Sequence, residues 1–154
     1  VLRSLRHALE LTPMELREFF EAASARIPLS DVAAMLKDDD EPGFLPIEDD
    51  LFGAFLDGLI AFHRGARPSD PQSAPVGPVS NNRILRSLRI AFELRDTDVQ
   101  TCMQAAGREV SKAELSALFR REDHRNYQPC GDQFLRVFIR GLGIMHRTGT
   151  RRTT

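Results

Sequence analysis

Apolar positions recur every three to four residues over most of this chain, the spacing that places them on one face of a helix. The clearest stretch is Leu85, Leu88, Ala91 and Phe92, with Arg83, Arg86 and Arg89 forming a second stripe on the same helix. Val99, Met103 and Ala106 mark the next helix, closed by Gly107, since glycine tolerates the left-handed conformation at a helix end. Leu115, Leu118 and Phe119 mark a third. It opens at Ser111-Lys-Ala-Glu114, where a serine oxygen and a glutamate satisfy free N–H groups of the first turn. Phe134, Leu135, Phe138, Ile139 and Leu142 mark a fourth, after an irregular loop over 122–131. Asp96 and Asp132 are the expected caps of the second and fourth helices. The alternation of apolar and polar residues that marks a half-buried strand does not occur in the sequence. The pattern predicts an all-α fold.

The same pattern fills the first part of the chain. Shifted by 83 positions, Leu2-Arg3-Ser4-Leu5-Arg6 falls on Leu85-Arg86-Ser87-Leu88-Arg89, and Gly58-Leu59 on Gly141-Leu142. Residues 1–60 share 17 identities with residues 84–143 without a gap, which a tandem duplication explains and chance does not. Each copy is a module of about 60 residues and four short helices. In the first copy Thr12-Pro13-Met14-Glu15 opens a helix, with a cap, a proline at the first helical position and a capping-box acid. Pro42-Gly43 is a turn before the last helix. The expected division is a first repeat over 1–63, a linker over 64–82, a second repeat over 83–146 and a basic tail over 147–154. Pro68, Pro71, Pro75 and Pro78 favour extended chain in the linker, whose length suits packed and tethered copies equally.

These residues resemble the YehS-like family of bacterial proteins. The likeness is carried by Ser111 to Arg120, His124-Arg-Asn-Tyr127 and Cys130-Gly-Asp-Gln-Phe-Leu-Arg136 in the second copy. In the first copy Glu41-Pro-Gly43 and Phe55-Leu-Asp-Gly-Leu-Ile60 carry it. It covers both copies and implies a tandem-repeat domain whose function is not known, so it transfers no activity.

The chain has a formal net charge of −1, but the halves differ. Residues 1–68 hold 7 basic and 13 acidic side chains, a net −6, and residues 81–154 hold 14 and 8, a net +6. A basic surface attracts polyanions through counterion release, and an acidic one repels them or docks a basic partner. The positive charges of the second half are nearly all arginine, whose fork grips phosphate in a bidentate manner. The Arg86/Arg89 stripe also fits a solvated face or salt bridges, and Arg3 and Arg6 at the same places of the acidic copy favour a share in packing.

The helix order of the second copy is similar to that of repressor-type helix-turn-helix domains, whose third helix enters the major groove. On that reading Lys112, Ala113, Ser116 and Arg120 face DNA. Arg108, Glu109 and Val110 make the turn about two residues longer than the tight form, which weakens the likeness. The loop residues His124, Arg125, Asn126 and Tyr127 offer imidazole, guanidinium, amide and phenol to a phosphate or peptide backbone, or to the loop's own hydrogen bonds. Cys102 and Cys130 replace Phe19 and Ile47 of the first copy and so read as core residues. Two cysteines make no disulfide framework, which points to a reducing compartment, the cytoplasm. No paired ligand clusters, calcium-loop spacing or phosphate loop occurs, so neither metal nor cofactor is expected. No run is apolar enough to span a membrane.

The sequence reading is therefore a non-enzymatic binding protein whose basic copy engages DNA or RNA in a regulatory role. Arg86, Arg89, Lys112, Arg120 and Arg125 are its phosphate contacts, with His124, Asn126 and Tyr127 as a loop site. The alternative is a protein-interaction module, or a homo-oligomer, in which acidic and basic repeats pair. Chemistry at the loop between His124 and Asp132 is a third, weaker option.

Overall fold

The computed structural model describes residues 2–23, 25–64, 79–121 and 123–147. Among the described residues there are eight α-helices and no strand. The first copy holds α1 (Leu2–Ala8), α2 (Pro13–Ala22), α3 (Leu29–Met35) and α4 (Asp49–Arg64). The second holds α5 (Asn81–Ala91), α6 (Asp96–Ala105), α7 (Lys112–Phe119) and α8 (Asp132–Arg147). Most of the expected proline-rich linker and all of the tail beyond Arg147 lie outside the described residues.

The end signals act locally as their chemistry dictates. Thr12 Oγ1 accepts the Glu15 N–H at 3.2 Å, with Pro13 at the first helical position. Ser111 Oγ accepts the Glu114 N–H at 3.1 Å, and Glu114 reaches back to the Ser111 N–H at 3.4 Å. Gly107 has φ +88°, and the Arg108 N–H reaches back to the Met103 carbonyl at 2.9 Å, closing α6. Two expected caps differ. Arg95, not Asp96, flanks α6, and its N–H is taken by Asp98 Oδ2 at 2.8 Å. Asp132 is the first residue of α8, and its carboxylate accepts the Asn81 side-chain amide at 2.7 Å. In both cases a carboxylate inside the first turn meets a donor from outside it, a geometry that spacing alone does not distinguish from a cap.

The two copies are interleaved. The last helix of each packs on its own second helix, α4 on α2 and α8 on α6. The first helix of each lies chiefly on the last helix of the other, α1 on α8 and α5 on α4. One apolar core therefore runs through both copies, from Leu5, Leu16, Phe20 and Phe55 to Leu85, Leu88, Met103 and Phe138.

The 83-residue offset recurs in the details of the interior. Gly58 and Gly141 bring the last helix of each copy onto the main chain of its second helix. A Cβ on either would overlap the carbonyl oxygen of Phe19 or Cys102, themselves equivalent positions. Glu10 and Glu93, at φ 54° and 53°, end the first helix of each copy, and the next N–H reaches back to Arg6 or Arg89 at 2.9 Å. An ion pair crosses between copies at Arg83 Nη2–Asp57 Oδ1, 3.8 Å, and His146 Nε2 lies 3.7 Å from Glu10 Oε2. His63, the counterpart of His146, packs tilted against Phe92 with ring centroids 4.8 Å apart.

Candidate functional site

The arginine stripe of α5 divides into three environments. Arg83 faces Asp57 of the first copy. Arg89 is engaged in the fold: its guanidinium lies 4.4 Å from the centre of the Phe119 ring, its Nε donates to the Leu94 carbonyl at 3.0 Å, and its Nη2 meets Asp96 at 2.7 Å. The structural share suggested by Arg6 thus falls on Arg89. Arg86 is exposed, with one long hydrogen bond, 3.5 Å, to the carbonyl of Arg120, and no carboxylate partner among the described residues.

That bond joins the stripe to the loop after α7. Arg120 Nη1 lies 3.2 Å from His124 Nε2, and Arg120 Nε is buried without a hydrogen-bond partner among the described residues. His124 Nδ1 accepts the Asn126 N–H at 3.0 Å. Arg86, Arg120, His124 and Asn126 are thereby brought into one continuous patch. Arg125 is exposed on the same loop, and Tyr127 is half-buried, with its N–H donating to the His124 carbonyl at 2.9 Å. Lys112 stands apart at the opposite end of α7, exposed.

The loop is held by two residues that the apolar pattern does not flag. Asn82 is buried, donates to the carbonyls of Leu118 and Gln128 at 3.0 Å each, and accepts the Cys130 N–H at 2.8 Å. Asn81 donates to the Cys130 carbonyl at 3.1 Å. A buried amide with all three of these bonds made fixes both ends of the loop on α5. The signal available in the sequence is the polar residue three positions before Leu85, on the buried side of an amphipathic helix.

The first copy arranges the equivalent place differently, with a carboxylate on its arginine. Arg3, the counterpart of Arg86, is closed by Asp38 at 2.6 Å. The position of Asp38 is Arg121 in the second copy, and that of Lys37 is Arg120. Lys37 Nζ donates inward to the Pro42 carbonyl at 3.0 Å. The first copy thus supplies its own carboxylate to the arginine of its first helix, and the second replaces that carboxylate with another guanidinium. Among the described residues Arg121 reaches Asp123, at 3.4 Å, and both are largely exposed.

Both cysteines are buried and free. Burial, with Asp98 nearby, pushes the Cys102 thiol up to about 11. Burial and then Asp132, partly offset by Arg108, push Cys130 up to about 11. Neither is poised as a thiolate at neutral pH. Among the described residues no three His, Cys, Asp or Glu side chains gather as a metal site requires, and no helix is long and apolar enough to cross a membrane.

The fold places the chain in a class, the tandem repeats of a four-helix unit. The model of the proteins of unknown function called DUF1456 matches residues 1–65 and again 81–148, once on each copy, and the chain belongs to that family. It is similar to the uncharacterized protein YehS of Escherichia coli (strain K12), 37% identical over 142 residues, which covers 92% of this chain and 91% of the relative. No solved structure matches.

Proposed function

We propose that the protein is a non-enzymatic, cytoplasmic binding protein whose second copy engages the phosphate backbone of DNA or RNA in a regulatory role. The observation that carries this reading is the state of the arginines. In the first copy Arg3 is neutralised by Asp38; in the second, Arg86 and Arg125 are exposed with no carboxylate partner among the described residues. Cations held on a fixed scaffold without counter-charges are what a polyanion requires. Lys112 adds a distant positive charge, and Arg120 supports the loop. Arg89, spent on Phe119, Leu94 and Asp96, is a structural residue in this account.

Backbone contact suits the geometry better than base reading. The connection from α6 to α7 spans Ala106 to Ser111, longer than a tight helix-turn-helix turn. Lys112, Ala113 and Ser116 are exposed on α7, but Arg120 lies at its far end and turns toward His124. Two buried, protonated thiols fit a reducing compartment and argue against a cysteine nucleophile.

The test is a fluorescence-anisotropy titration of short duplex DNA and single-stranded RNA with the full chain at several salt concentrations. Binding that weakens steeply with salt supports the reading. No binding at low salt overturns it and assigns the opposite charges to docking between chains, which light scattering would then show as salt-sensitive association.

A further inference from the structure

The meeting of Arg120 and His124 is chemically incomplete. A guanidinium has donors only. A neutral imidazole has one N–H and one lone pair, and the Asn126 N–H takes the lone pair at Nδ1. Arg120 Nη1 faces Nε2 at 3.2 Å, so the single lone pair of a neutral ring cannot accept from both Asn126 and Arg120. Protonating the ring adds a second positive charge and removes no conflict. Arg120 Nε, buried beside them, also has no acceptor among the described residues. Arg86 leans onto the Arg120 carbonyl from α5. The Arg120 guanidinium thus meets the ring short of acceptors among the described residues, and Arg86 reaches the main chain of the same residue, on a loop anchored by Asn82.

The first copy shows what completes such a place: the Asp38 carboxylate on Arg3. In the second copy the same position is Arg121. We propose that Arg86, Arg120 and His124 form a seat for one phosphate oxyanion, which takes the place that the Asp38 carboxylate holds in the first copy. This deepens the nucleic-acid reading by naming the group grasped and its partners. A phosphate offers several lone pairs, enough to accept from Arg120 and His124 together and from the Arg86 fork. The chemistry is shared by a terminal monoester, an internal diester and inorganic phosphate, and the experiment separates them.

The full chain is titrated with inorganic phosphate while NMR follows the Arg Nε–H and His ring resonances. Saturable shifts confined to Arg86, Arg120 and His124 are expected. Arg121→Asp restores the carboxylate of the first copy at an exposed position and leaves the core untouched. It is expected to weaken phosphate binding by at least about tenfold. Arg120→Gln should weaken it as well. Displacement of bound phosphate by an oligonucleotide bearing a 5′-phosphate, but not by its 5′-hydroxyl form, assigns the terminal monoester; equal displacement by both assigns the internal diester. Unmoved resonances, or unchanged affinity in Arg121→Asp, overturn the seat. If nucleic acid still binds in that case, the proposed function stands and the seat falls. If phosphate shifts these residues but nucleic acid does not bind, the seat stands and the proposed function falls.

Discussion

Arg86 and Arg89 lie three positions apart on α5, yet only Arg86 is exposed with no carboxylate partner among the described residues. The difference gives a paired prediction. Arg89→Ala removes a ring contact, a hydrogen bond and an ion pair, and should lower stability by about 1–2 kcal/mol in denaturant titration. Arg86→Ala should change stability by less than about 0.5 kcal/mol and still weaken nucleic-acid binding. Equal loss of stability in both variants would contradict the division. The sequence stripe of Arg83, Arg86 and Arg89 could not make this distinction, because Phe119 and Asp96 approach Arg89 only after α6 and α7 fold back. Asn82 was hidden for a similar reason: its three partners lie 36 to 48 residues away.

At the scale of elements, two equivalent crossings hold the copies together. Gly58 and Gly141 allow α4 and α8 to touch the main chain of α2 and α6. Gly58→Ala or Gly141→Ala forces helix against backbone, and each should cost about 3 kcal/mol or more, read as a fall in the denaturation midpoint. A stability equal to the wild type would show that the helices are not so close. A second prediction concerns the α4–α5 junction. The His63 ring touches Phe19, Phe62 and Phe92, and desolvation lowers its pKa from the usual histidine value. Lowered in the folded state, it contributes stability that is present above about pH 6.5 and lost as pH falls through its folded value. His63→Phe should flatten that part of the stability profile between pH 7.5 and 5, and an unchanged profile would remove His63 as its source. The helices, the Thr12 and Ser111 caps and the Gly107 stop were legible because each depends on neighbours in sequence.

The whole molecule is one interleaved unit, and this was not legible. A repeat with an apolar face on every helix does not say which copy supplies the partner, since α1 and α5 are near-identical in their Leu-Arg-Ser-Leu-Arg stretch. With α5 lying on α4 and α1 on α8, residues 79–154 expressed alone lack the surface that covers α5. They should be either unfolded or a dimer that repeats the exchange, by light scattering; a stable folded monomer would contradict the packing. The interleaving also fixes the charge layout. The copies meet through apolar faces flanked by the Arg83–Asp57 pair, and the acidic loop of the first and the basic loop of the second remain on the surface among the described residues. The exposed Arg86 and Arg125 of the second copy are proposed to contact phosphates. The most direct measurement is the salt dependence of nucleic-acid affinity for the wild type and for Arg86→Ala/Arg125→Ala. A slope of log K against log salt shallower by about two is expected in the double variant, since each arginine would neutralise one phosphate. An identical slope and affinity in the two proteins would contradict that contact.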